Sequence, residues 1–168
     1  MAAGKFHLYT TAWKYFLEGR INLLGGAANG SAATVVKAML LTDGYTPSTA
    51  SHSALNQIAP ASKFQSTASS TIVNAYTLVN MAVTGSGAYT VKFDADDIAG
   101  FSSDGSTIAS AKYLALYAQS ASNGAAVDNL LIGFMDLDTA AADDSAGNST
   151  QVNITWASGG IFKVNTNP

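Results

Sequence analysis

The chain has no cysteine, which excludes disulfide scaffolds, thiolate metal sites, iron–sulfur clusters and cysteine nucleophiles. Charge is scarce: Asp, Glu, Lys and Arg make up 11% of the residues, against about a quarter in ordinary globular chains. Eight Lys and Arg are too few to displace counterions from a phosphate backbone, so no nucleic-acid partner is expected. A single glutamate, Glu18, and two histidines, His7 and His52, leave little material for acid–base chemistry. No uninterrupted apolar run approaches the roughly 18–20 residues of a membrane span. The first residues also lack the basic stretch and apolar block of a secretion signal. These absences predict a soluble protein made in a cytoplasm, with no membrane partner.

What is abundant is small and uncharged. Ala, Gly, Ser and Thr account for 79 of the 168 residues. An apolar content of 48% with a net charge of −3 is the opposite of the disordered signature. The length suits one domain that closes its own core.

From Phe6 to Gly19 the apolar residues Phe6, Tyr9, Trp13, Phe16 and Leu17 recur at helical spacing, and Gly19 stands where a helix-ending glycine would. The spacing predicts a helix over this segment. Either it covers the edge or end of a sheet in its own core, or its aromatics Phe6, Tyr9, Trp13 and Phe16 dock on a partner. The expected division is an N-terminal amphipathic arm, residues 1–20, and a single β domain, residues 21–168.

Beyond Gly19 the period changes to two. Ile21-Asn22-Leu23 is a candidate short strand, and Gly25 to Gly30 a turn. Thr34 to Leu41 is a strand, apolar on both faces and so interior, closed by Asp43-Gly44 and Pro47. Ser48 to Ser70 is a long connection, with one helical turn expected at Ala54–Ile58. Thr71 to Val83 is a strand, turned by Gly85-Ser86-Gly87 into Ala88–Phe93; Asp94 to Asp97 ends the latter. Asp104-Gly105 marks a turn before a strand at Thr107–Ala118. After loop Ser120–Gly124, Asn129 to Leu137 is a strand with Gly133 as a bulge or close-packing point. The loop Asp143–Asn148 precedes the cleanest alternation: Val152, Ile154 and Trp156 inward, Gln151, Asn153 and Thr155 outward. Gly159-Gly160 turns into a last strand at Ile161–Val164. Seven or eight strands behind one helix predict a mainly β fold, an antiparallel β-sandwich of jelly-roll or immunoglobulin-like type with a short N-terminal helix. Its expected core includes Val35, Met39, Leu114, Leu116, Ile132, Phe134, Ile154 and Trp156.

Sites for chemistry are thin. Asp94, Asp96 and Asp97, completed by Asp136 or Asp138, could form a β-type calcium site, or be a polar strand end that caps a turn. His7 and His52 lack the neighbours of a metal pair. No nucleophile elbow or phosphate loop is present, and the sequons at Asn29, Asn148 and Asn153 lack a secretory context. The expectation is a non-enzyme without cofactor or metal.

Several motifs occur in a telling order: Ile21-Asn22-Leu23, the run from Val36 to Pro47, Phe93 to Ile98, Ala111 to Tyr117, Leu131 to Asp136, Val152 to Trp156, and Gly160-Ile161. This order resembles a family of small tailed-bacteriophage virion proteins, in which an amphipathic leader precedes a strand ending in a Leu-Thr-x-x-Tyr-x-Pro turn. Residues 62–80 depart from the Gly- and Tyr-rich segment of that family. The resemblance implies a capsid decoration (cement) protein on the outer surface of the virion, assembled in the host cytoplasm. Its implied partners are the phage major capsid protein and itself, as a homotrimer. Two other readings stay open: a phage tail or fibre component, or a jelly-roll carbohydrate-binding module using Trp13, Tyr89, Tyr113 or Trp156 for stacking.

Overall fold

A computed structural model of the chain describes residues 5–21, 23, 34–59, 62, 75–85, 90–102, 111–119, 129–137 and 151–165. In chain order the elements are β1 (Phe6–Leu8), α1 (Thr10–Leu17), β2 (Val35–Thr42), a 3₁₀ turn (Leu55–Gln57), β3 (Tyr76–Thr77), β4 (Ala82–Gly85) and β5 (Thr90–Asp94). They continue with β6 (Ile98–Ser102), β7 (Ala111–Gln119), β8 (Leu130–Asp136), β9 (Gln151–Ile154) and β10 (Phe162–Asn165). The strands form three sheets, ordered β1-β8-β7-β2-β3, β10-β5-β4 and β6-β9, and every pairing is antiparallel. Among the described residues no sheet closes into a barrel. The mainly β, antiparallel architecture with one short helix is the one the sequence predicts.

The five-stranded sheet is buried on both faces, and this explains why its strands read as apolar runs. On one face Val36, Ala38, Leu40, Leu114, Leu116 and Ile132 join Phe93, Ile98, Phe101, Val152, Ile154 and Trp156 of the smaller sheets and their flanks. On the other, Met39, Leu41, Ala115, Tyr117, Leu131 and Phe134 meet Tyr9, Ala12, Tyr45, Leu55 and Ile58. Leu114, Leu116 and Leu131 are wholly buried, each contributing roughly 1.5–3 kcal/mol of transfer free energy. The expected core residues are all buried except Val35, which is only partly covered; its neighbour Val36 takes the inward position. In a strand a one-residue offset exchanges faces.

Three expectations need correction. The helix does not begin at Phe6. Phe6–Leu8 is extended and pairs with Met135–Gly133 on β8, and Tyr9 remains extended (φ −72°, ψ 141°) before the helix starts. A backbone ladder along the open edge of β8 outweighs the helical spacing of so short a run. Within the expected N-terminal arm, the described residues 5–20 supply a strand and two core side chains, Tyr9 and Ala12, as the own-core alternative has it. At its other end α1 stops as the sequence predicts. Gly19 adopts φ +67°, its N–H donates to the Phe16 carbonyl, and the Arg20 N–H donates to that of Tyr15. This is the paired closure that a left-handed glycine permits.

The strand expected at Thr71–Val83 is, within the described residues, two strands in different sheets. Asn80, at φ +52°, turns the chain between them. Asn tolerates this left-handed conformation better than other non-glycine residues, and its Nδ2 donates to Asp96 Oδ2 at 2.6 Å. The third correction is β6, a strand where only turns were expected, paired with β9. Ile21 is buried without belonging to a strand. The loops expected at Gly25–Gly30, Ser120–Gly124 and Asp143–Asn148 lie outside the described residues.

Candidate functional site

The structure distributes the four aromatics expected to bind a partner over different surroundings. Phe6, on β1, is partly buried and stacks on Phe162 at 5.3 Å between centroids. Tyr9 is 0% exposed and offers nothing to solvent. Phe16 is half-buried against both core clusters. Only Trp13, at 42%, stands on the surface. Its neighbour one turn on, Leu17, is 87% exposed. Leu17 belongs to the apolar stripe visible in the sequence, yet it is absent from the expected site because aromatics outranked it there. The i, i+4 spacing was the signal that could have found it.

Why the helix presents this step follows from its anchorage. Ala12 is buried against the sheet, and Trp13 and Leu17, one and five residues on, lie roughly 100° and 140° round the helix from it and so face outward. The Tyr9 N–H donates to the Ile132 carbonyl and the Thr10 N–H to that of Thr49, fixing the helix start between β8 and the segment after β2. Trp13 meets Phe16 edge-on at 6.1 Å. The exposed pair Lys14–Glu18, 3.6 Å apart, flanks the step, and Arg20 lies 4.6 Å from the Tyr15 ring centroid. Such surface pairs contribute about 0–1 kcal/mol.

Beneath α1 lies a polar chain within an apolar cluster. The hydroxyls of Tyr9 and Tyr45 are 2.6 Å apart, and that of Tyr45 lies 2.8 Å from Nδ1 of His52. The His52 ring stacks on Tyr45, and Tyr113 meets Tyr45 edge-on. Burial raises the Tyr9 phenol far above its ordinary range, reinforced by the Tyr45 hydroxyl. Burial also raises Tyr45, partly offset by its bond with Tyr9. Tyr117 is pushed up to about 12 by burial.

The acidic candidates are occupied by the fold. Asp94 pairs with Lys92 Nζ at 2.8 Å and accepts the Ala95 N–H. Asp96 accepts from Asn80, and Asp97 accepts the Trp156 N–H at 2.8 Å. These are turn and strap contacts between β5, β6 and the end of β9. Among the described residues no three His, Asp or Glu are grouped to hold a metal ion; Asp138 lies outside them. His7 stacks on Phe134, on the opposite side of β1 from Phe6.

Of the stacking candidates, Trp156 is buried with its Nε1 donating to the Asp96 carbonyl, and Tyr113 is partly buried, meeting Tyr45 and Phe134 edge-on. Tyr89 lies outside the described residues. Trp13, the remaining stacking candidate, is exposed on α1. Among the described residues Trp13 and Leu17 form an exposed apolar step on α1, and Val79 and Val91 are the other large hydrophobics that are exposed. Comparison with protein-family models, with curated proteins and with solved structures finds no match for this chain.

Proposed function

We propose that this chain is a structural virion protein that decorates a bacteriophage capsid and stabilises it by bridging major capsid subunits, acting as a homotrimer on the outer surface. The single structural observation that supports the reading is the exposed Trp13–Leu17 step, carried on a helix anchored to the sheet through Tyr9 and Ala12. The order of motifs along the chain supplies the kind of partner. Aromatic anchors, Trp foremost among them, carry a large share of the energetics of protein interfaces. Full burial of a leucine such as Leu17 contributes only about 1.5–3 kcal/mol per copy. Such a contact is weak alone and strong when repeated over a lattice that holds many copies in register. A shell-bracing role also needs no catalytic group, and low surface charge makes its contacts largely insensitive to salt.

The test is occupancy on shells prepared without the protein. Wild type is expected at hundreds of copies per particle, and shells lacking it are expected to rupture sooner on heating or osmotic shock. The Trp13→Ala/Leu17→Asp double variant should keep the wild-type circular dichroism and melting curve, while its occupancy falls about tenfold or more, the loss expected from an aromatic anchor. A handful of copies confined to the tail would transfer the protein to a tail role. Undiminished occupancy of the double variant would remove α1 from the contact.

A further inference from the structure

The chain Tyr9–Tyr45–His52 is built from three segments: the β1–α1 junction, the turn after β2, and the segment that His52 ties back to the helix. The His52 carbonyl accepts the Thr11 hydroxyl, and its N–H donates to the Ser48 carbonyl. Counting protons along the chain sets its direction. Neutral His52 accepts at Nδ1 only if its proton sits on Nε2. Tyr45 then donates to His52, Tyr9 donates to Tyr45, and both hydroxyl protons are used. A protonated imidazole has no acceptor. Its Nδ1–H must donate to Tyr45, and the two hydroxyl protons are left with one bond between them. Whichever hydroxyl donates in that bond, the proton of the other, on a buried side chain, has no acceptor among the described residues. A buried donor without an acceptor is strongly disfavoured.

We propose that this chain is a proton-ordered latch: it clasps the start of α1 to the segment after β2 while His52 is neutral, and opens when His52 takes up a proton. The charged and titratable neighbours are few. Tyr9 and Tyr45 are the direct partners. Tyr113 on β7 lies behind Tyr45, with Lys112 Nζ 5.8 Å from the Tyr113 ring centroid, and His7 on β1 lies over Phe134. None of the ion pairs among the described residues includes His52. Among the described residues no carboxylate bond therefore compensates the imidazolium, and acid loosens the helix that carries Trp13 and Leu17. The inference is independent of what that helix binds.

The first measurement is the tautomer of His52 in the intact protein, from long-range nitrogen–proton correlations near neutral pH. The latch requires Nε2–H, and a proton on Nδ1 would overturn it. The second is amide hydrogen exchange, corrected for intrinsic rates, at about pH 7.5 and about pH 5.5, on either side of imidazole titration. Protection of the α1 amides relative to those of β7 should fall several-fold, up to about tenfold, at the lower pH. His52→Asn replaces Nδ1 with an oxygen that accepts at any pH, leaves His7 in place, and should abolish the fall. An equal fall in H52N, or none in the wild type, would refute the latch.

Discussion

Replacing Gly133 with alanine gives the sharpest energetic test of how the N-terminal strand is seated. A Cβ at this position would lie 2.6 Å from the His7 carbonyl oxygen and inside the ring edge of Phe6. Neither obstacle is a free side-chain end. The oxygen belongs to β1 backbone, and Phe6 is held from behind by its stack on Phe162. The strand must retreat, which stretches its ladder to β8 and pulls on Tyr9. Overpacking of this kind costs about 1–3 kcal/mol, and partial uncovering of Tyr9 adds to it. The expected loss is therefore about 2–4 kcal/mol, a large share of the roughly 5–15 kcal/mol that holds a domain folded. At about 2–4 °C per kcal/mol for a chain of this size, the melting midpoint should drop by roughly 4–16 °C. Gly85→Ala is the control. Nothing lies within 4 Å of the Cβ it would carry, so it should be neutral or gain about 0.4–1 kcal/mol through the unfolded chain. Urea unfolding of both variants, with unchanged slope, measures the difference. Indistinguishable midpoints would refute the close approach of β1 to Gly133.

Two more predictions follow from described geometry. Asn80→Gly and Asn80→Val both delete the bond to Asp96, but only valine is strained at φ +52°; N80V should be about 1–2 kcal/mol less stable than N80G in the same denaturation assay. In alkali the sign comes from Tyr9, Tyr45 and Tyr117, all raised by burial. Their unfolded counterparts release protons near pH 10 while the folded ones hold theirs, so the stability they contribute is complete below about pH 10 and is lost above it. Phenolate absorbance should therefore show an early, reversible group of tyrosines and a later group that ionises together with unfolding; one smooth titration would contradict the burial.

How much of this was legible depends on the range of the interaction that decided each element. The Val152–Ile154–Trp156 alternation was readable because one face is buried and the other wet. The apolar strand β2 was readable as interior, and β7 and β8 as strands, although what covers each face was not. Gly19 announced the helix end, since local backbone geometry determines it. Phe6–Leu8 was misread because its partner lies on β8, far along the chain, and no local signal reports an open strand edge. Ile98–Ser102 was hidden among Asp, Gly and Ser, residues that favour turns until a partner such as β9 pairs with them. For the same reason the sequence offered the aromatic stripe as one surface, whereas the fold keeps Tyr9 and presents Trp13 with Leu17.

The pairing of β1 with β8 also constrains how the protein can be made. Phe6 finds its partner only at Met135, more than a hundred residues later in the chain. At about 5–20 residues per second, translation leaves the first strand and its aromatics waiting roughly 6–25 s before that partner is synthesised. During that interval Phe6, Tyr9, Trp13 and Phe16 form an adhesive segment next to a sheet that lacks its edge. Closing so long a loop comes late in folding, because its entropy must be overcome before the contacts reward it. Nascent chains are therefore most exposed to mutual sticking until β8 has emerged, and slower growth at lower temperature or a holdase that masks this segment should raise the yield of folded protein.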